Sequence, residues 1–143
     1  MKFDGYYYGL SNGIINPFIY KWDRAGQYYN FANTFNPGYG YWVFAYEDCE
    51  LWIEELTPNS DDYITTLETG WNVIGLPFDQ TIDKVDVLVD DIDWNTAVIN
   101  GWVNTYVYGW DRAGQYYTFA NTFNPGYSYW VYASQTCMLK RSV

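Results

Sequence analysis

Apolar and polar positions alternate along this chain in short stretches broken by turn residues, the pattern of strands that bury one face. It is clearest in WDRAGQYYTFANTFNPGYSYWV, residues 110–131. Asp111-Arg112-Ala113-Gly114 places Asp first and Gly fourth, as a type I turn prefers. In Asn124-Pro125-Gly126 the proline presets φ and the glycine accepts the left-handed position. These signals bound a strand at 115–120 and open a longer one from Tyr127 to Ser134, followed by a short strand through Cys137 and Leu139. Upstream, Asn100-Gly101 between apolar runs predicts a hairpin turn joining a strand near 94–99 to one near 102–110.

The same pattern occurs twice. Residues 22–43 match 110–131 at every position except Asn30 against Thr118 and Gly40 against Ser128. An offset of 88 residues also carries Asn12-Gly13 onto Asn100-Gly101, and Cys49 and Leu51 onto Cys137 and Leu139. Repeat A is therefore 1–55 and repeat B is 89–143, with 56–88 unmatched between them. The expectation is a single all-β domain, 1–143, of two antiparallel meanders forming a β-sandwich or closed barrel with pseudo-two-fold symmetry and at most one short helix. Pro17 predicts an edge or bulge in the second strand of repeat A, since it cannot donate to a ladder. In the unmatched stretch, Thr57–Asp62 reads as a polar linker and Gly70–Phe78 as a strand. Residues 82–89 fit two turns of helix, although Val85, Val87 and Val89 also alternate as a strand would.

Charge narrows the partners. The chain carries a net charge of −10 with only seven Lys and Arg, so nucleic acid, whose binding rests on cationic side chains, is not an expected partner. No apolar run reaches the roughly 20 residues of a membrane-spanning helix, so no membrane insertion is expected. The opening MKFDGYYYGL lacks the apolar core of a secretory leader. With no His and two separated Cys, neither a zinc site nor a Ser-His arrangement is expected, and no cofactor is implied. One Cys per repeat, Cys49 and Cys137, reads as a repeated small apolar position more readily than as a disulfide.

Carboxylates alone could still serve acid–base chemistry. The candidate pairs are Asp23 with Asp111 and Glu47 with Asp48, but a turn also wants Asp at 23 and 111. Asp91-Ile92-Asp93-Trp94-Asn95 imitates the start of a calcium loop, yet Thr96 and Trp102 stand where that loop needs Gly and Glu. A solvated acidic stretch is the better reading, and no metal or catalytic residue is expected.

The aromatics remain, 23% of the chain. Phe18, Tyr20 and Trp22 share one strand face, matched by Tyr106, Tyr108 and Trp110. In the closing strand Trp42, Phe44 and Tyr46 oppose Tyr41, Val43 and Ala45. Between the repeats Gly40, Phe44 and Tyr46 become Ser128, Tyr132 and Ser134, and Asn30 becomes Thr118. Those exchanges suit contact with water and make Tyr28, Trp42, Tyr116 and Trp130 the candidate ligand-binding rings. Such rings stack on sugars or cage a cation. They also pack in a thin core or against a sister chain.

Gly70-Trp71-Asn72-Val73-Ile74-Gly75-Leu76-Pro77, followed by Pro125-Gly126-Tyr127-Ser128-Tyr129-Trp130-Val131, resembles all-β repeat modules of secreted and surface-attached bacterial and archaeal proteins, which open on GWNxIxLP and close on PGxGYWV. The resemblance is full over 70–143 and partial in 1–55, where only the closing Pro37-Gly38-Tyr39-Gly40-Tyr41-Trp42-Val43 matches. It implies an extracellular or cell-surface accessory module without catalysis, in which repeat A lacks its opening strand. Residues 70–78 could then serve both repeats, or a homodimer could form through the unpaired edge or an aromatic face. The function expected is a non-catalytic binding or interaction module with aromatic-rich surfaces. A carbohydrate-binding module, an acidic aromatic pocket for a small cationic ligand, and a purely structural self-assembling repeat are the alternatives.

Overall fold

The structure, a computed structural model, describes residues 13–51 and 62–142. In chain order its strands are β1 (Tyr20–Asp23), β2 (Tyr28–Phe31), β3 (Tyr41–Trp42), β4 (Tyr63–Leu67), β5 (Gly70–Gly75), β6 (Ile82–Asp83), β7 (Val87–Val89) and β8 (Ile92–Asp93). The short helix α1 (Trp94–Ile99), the one α-helix among the described residues, precedes β9 (Val107–Asp111), β10 (Tyr116–Ala120), β11 (Thr122–Phe123), β12 (Ser128–Ala133) and β13 (Cys137–Arg141). The fold is all-β and sandwich-like, and the described residues form no closed barrel. One four-stranded sheet has the order β10-β9-β12-β5 and a second the order β4-β13-β7-β8. Repeat A forms a three-stranded sheet, β2-β1-β3, and β11 pairs with β6.

Strand alternation builds the core. Val107, Tyr129, Val131, Ala133 and Ile74 of the first sheet join Leu67, Val87, Val89 and Leu139 of the second in one buried cluster. Trp94 and Ala97 of α1 close it. Asn72 is a fully buried polar residue. Its carboxamide accepts from Glu68 N (2.9 Å) and donates to Glu68 O (2.9 Å), tying the β4–β5 turn from within.

Helix α1 occupies 94–99, where the alternation predicts a strand, and local capping is the reason. Asp93 caps its start, accepting from Thr96 N at 3.1 Å and from Thr96 Oγ1 at 2.7 Å. At its end Gly101, with φ 78°, donates to Val98 O, and Trp102 N donates to Ala97 O. That is a Schellman closure, so the glycine of Asn100-Gly101 ends a helix instead of turning a hairpin. Residues 82–89 are likewise not two turns of helix: one 3-10 turn, Lys84–Asp86, lies between β6 and β7. Pro17 precedes β1 and stands outside the named strands. Most of the expected polar linker, 57–61, lies outside the described residues.

The two repeats fold alike around their turns. Gly26 N reaches Asp23 Oδ1 at 2.9 Å, and Gly114 N reaches Asp111 Oδ1 at the same distance. Gln27 and Gln115 take left-handed φ values of 59° and 57°. Each spends its amide on the turn, to Arg24 O and to Arg112 O, which offsets the backbone strain of about 1 kcal/mol. Neither turn glycine has room for a Cβ, which would fall 2.1 Å from the Tyr28 ring or 2.0 Å from the Tyr116 ring.

Strand β5 holds the repeats together. One edge pairs with β12 from Ser128↔Gly75 to Ala133↔Gly70. The other edge belongs to repeat A. Gly40 N donates to Val73 O (3.2 Å), Gly75 N to Gly38 O (3.3 Å), and Tyr39 bridges Ile74. Beyond that short ladder, side chains complete it. Gln27 accepts from Trp71 N and donates to Trp71 O, both at 2.9 Å, while Trp22 Nε1 donates to Trp71 O at 2.8 Å.

Arg24 locks this junction. It is buried, its guanidinium lies 3.9 Å from the Tyr39 ring centre, and it donates to Thr65 Oγ1, Thr66 O, Gly38 O and Val73 O at 2.6 to 2.9 Å. Burial lowers its pKa. Its counterpart Arg112 repeats the ring contact, at 4.0 Å from Tyr127, and the bond to the glycine carbonyl, here Gly126, but is exposed. Identical residues therefore have unequal energetic weight. Arg24→Ala should cost about 2–4 kcal/mol by stripping donors from four oxygens, and Arg112→Ala at most about 0.5 kcal/mol, read from chemical-denaturation midpoints.

Candidate functional site

Register decides which rings meet. Tyr20↔Phe31, Trp22↔Tyr29 and Tyr20↔Trp42 put these side chains on one face of the repeat A sheet. Tyr108↔Phe119, Trp110↔Tyr117 and Tyr108↔Trp130 do the same in repeat B. These two faces contact each other through a duplicated cluster. Trp22 packs on Trp130 with centroids 5.1 Å apart at 73°, and Trp110 packs on Trp42 at 5.0 Å and 77°. Tyr29 meets Trp130 at 6.4 Å and Tyr117 meets Trp42 at 6.3 Å. Residues 22, 29 and 42 become 110, 117 and 130 under the repeat offset, so exchanging the copies reproduces the cluster. This is a pseudo-two-fold interface made of edge-to-face rings. Burial raises the pKa of the Tyr29 hydroxyl, and the neighbouring Tyr117 adds to it.

At the outer ends of the same faces two ring trios reach solvent. In repeat A, Phe31 lies 5.3 Å from Phe18 and 5.2 Å from Tyr20, with interplanar angles of 38° and 42°. In repeat B, Phe119 lies 5.0 Å from Tyr106 and 5.3 Å from Tyr108, at 35° and 45°. Phe31 is 56% exposed and Phe119 66%. Trp71 and Tyr132 continue the repeat B surface, Trp71 lying 6.0 Å from Tyr108 and 5.3 Å from Tyr132.

The four rings singled out from the sequence do not form one platform. Trp42 and Trp130 are half-buried members of the inter-repeat cluster. Tyr28 and Tyr116 are exposed on the opposite faces, each beside its turn glycine. The sequence reasoning missed Phe31 and Phe119, although the face of Phe18 and Tyr20 was readable from alternation. The missing link was the β1–β2 register, which brings Phe31 opposite Tyr20.

The carboxylates have structural work. Asp23 and Asp111 each cap a turn, and the hydrogen bond from Gly26 N holds the Asp23 carboxyl below its ordinary pKa. Asp91 pairs with Lys140 at 2.9 Å, and Asp93 caps α1, its own pKa lowered by the Thr96 hydroxyl and amide. Glu47 and Asp48 are exposed. Among the described residues no cluster of acidic or Cys side chains could hold a metal ion. No helix among them is long and apolar enough to cross a membrane. Neither cysteine is in a disulfide: Cys49 is exposed, while Cys137 sits in the core with its thiol pushed up to about 11 by burial.

Two outcomes follow from these environments. Alkylation at pH 8 should modify Cys49 in the native chain and Cys137 only on unfolding, which peptide mass mapping reads directly. Double-mutant cycles to Ala on Trp22/Trp130 and on Trp42/Trp110 should give coupling energies equal to each other, each about 0.5–1.5 kcal/mol. Compared with known proteins, the chain matches no family model, no curated protein and no solved structure.

Proposed function

We propose that the chain is a non-catalytic binding module that holds its target on the twin ring trios Phe18–Tyr20–Phe31 and Tyr106–Tyr108–Phe119. The carrying observation is that both repeats keep the same three-ring geometry on exposed faces. Elsewhere matched residues have diverged in burial. Val43 is half-buried and Ala45 exposed, while their counterparts Val131 and Ala133 are fully buried. Grouped exposed apolar rings are unfavourable in water unless something covers them.

The ligand class that suits these trios is a glycan chain. Sugar rings present flat C–H faces to aromatic rings, and a polymer repeats its units, as the two trios repeat theirs. Two sites on one chain raise avidity without new contacts. A small cation is the second reading, favoured by the net charge of −10. The resemblance of the GWNVIGLP and PGYSYWV segments to secreted and surface repeat modules supports a surface setting for such a binder.

Isothermal titration against a panel of soluble polysaccharides and quaternary ammonium compounds tests this. Phe31→Ala and Phe119→Ala should each weaken polysaccharide binding about tenfold, and the double variant should abolish it. Heat only with the ammonium compounds would select the cation reading. No heat with any ligand, together with a mass that rises with concentration, would replace both with a self-assembling structural repeat.

A further inference from the structure

Repeat A grips β5 with a defined set of groups. Gly40 N and Gly38 O make the short ladder, Gln27 brackets the main chain of Trp71, Trp22 Nε1 adds a donor to Trp71 O, and Arg24 binds Val73 O. Repeat B carries the same set at Ser128, Gly126, Gln115, Trp110 and Arg112. Its turn is built in the same way, with Gln115 bonded to Arg112 O and Arg112 over the Tyr127 ring. The difference lies in occupancy. A Cβ on Gly38 would meet β4, with Ile64 O at 2.4 Å and Thr65 Cβ at 3.0 Å, whereas a Cβ on Gly126 would have no neighbour within 4 Å among the described residues. Arg112 and Gln115 are exposed, and neither bonds to a residue outside its own turn except through Gly126 O.

We propose that this notch of repeat B is a strand-docking site, filled by an extended segment of another polypeptide with the Gly-Trp-Asn-Val-Ile-Gly character of β5. The occupant is argued from repeat A, where the same residue types, in the same local conformation, hold such a segment. It comes from elsewhere because β5 of this chain already has both edges engaged. Recognition is of main chain: Gln115 brackets one peptide unit, Arg112 takes the carbonyl two residues on, and the edge at 126–128 adds a short ladder. The proposal goes beyond the ring-trio reading and uses none of its residues.

The one change in the set fixes a preference. A Cβ on Gly40 would come within 2.6 Å of Val73 Cγ1 and still closer to the Ser128 side chain, which packs over Gly40. Ser128 carries that Cβ, so a docked segment needs a smaller residue than Val where β5 has Val73. A peptide of residues 69–77 with Ala at that place should therefore bind tighter than the unaltered peptide.

Fluorescence anisotropy of both labelled peptides against the full-length chain tests the site. The Ala peptide should bind saturably, at least threefold more tightly than the Val peptide. Arg112→Ala and Gln115→Ala should each weaken it about tenfold, measured under conditions where denaturation curves show both variants fully folded. Ser128→Gly should remove the preference for Ala, a readout that does not depend on either of those variants folding. Absence of saturable binding by both peptides, or binding indifferent to Arg112→Ala and Gln115→Ala, would overturn the proposal.

Discussion

The main chain of β5 is the constraint on which the arrangement of the two repeats depends. In an antiparallel ladder successive residues direct their peptide groups to opposite edges. Trp71, Val73 and Gly75 turn theirs to repeat A, as their bonds to Gln27, Gly40, Arg24 and Gly38 show, while the other edge of the strand pairs with β12. Repeat A has too little ladder for this task, so it uses side chains in place of a strand. The Gln27 carboxamide has the donor and acceptor of a peptide group and occupies the position of one.

From this junction the rest follows. Shared β5 brings the ring faces of both repeats together, and the rings that meet are related by the repeat offset. The outer rings of the same faces are left in water. The junction also breaks the symmetry. Only one arginine can reach β5 and the β4 oxygens, so Arg24 is buried as a structural cation while Arg112 keeps the same turn at the surface. A buried guanidinium with neutral partners is costly to desolvate, and four good acceptors with a ring face are what offset that cost.

Much of the architecture was legible in the sequence because it is local. Asp at 23 and 111, Gly at 26 and 114, and Pro-Gly at 37–38 and 125–126 specify turns through their own φ and hydrogen bonds, and alternation sorts the rings onto faces. Helix α1 departs from the strand expected at 94–99 because Asn-Gly serves both hairpins and helix ends, and because the decisive cap, Asp93, stands in an acidic stretch that hides it. Sharing of the 70–78 segment is among the arrangements the sequence allows, and the structure shows it for β5, Gly70–Gly75. The choice of binding rings was less legible: which aromatic stands opposite which depends on register across strands. The unequal burial of identical residues was not legible at all, because a single β4–β5 segment meets two copies of the repeat.

Native-state amide hydrogen exchange along β5 tests the shared-strand account most directly. If both edges are engaged, the amides of Trp71 and Gly75 are protected to a degree close to those of Asn72 and Ile74. Fast exchange at Trp71 and Gly75, with slow exchange at Asn72 and Ile74, would mean that β5 is an ordinary edge strand and that repeat A is not bound to it.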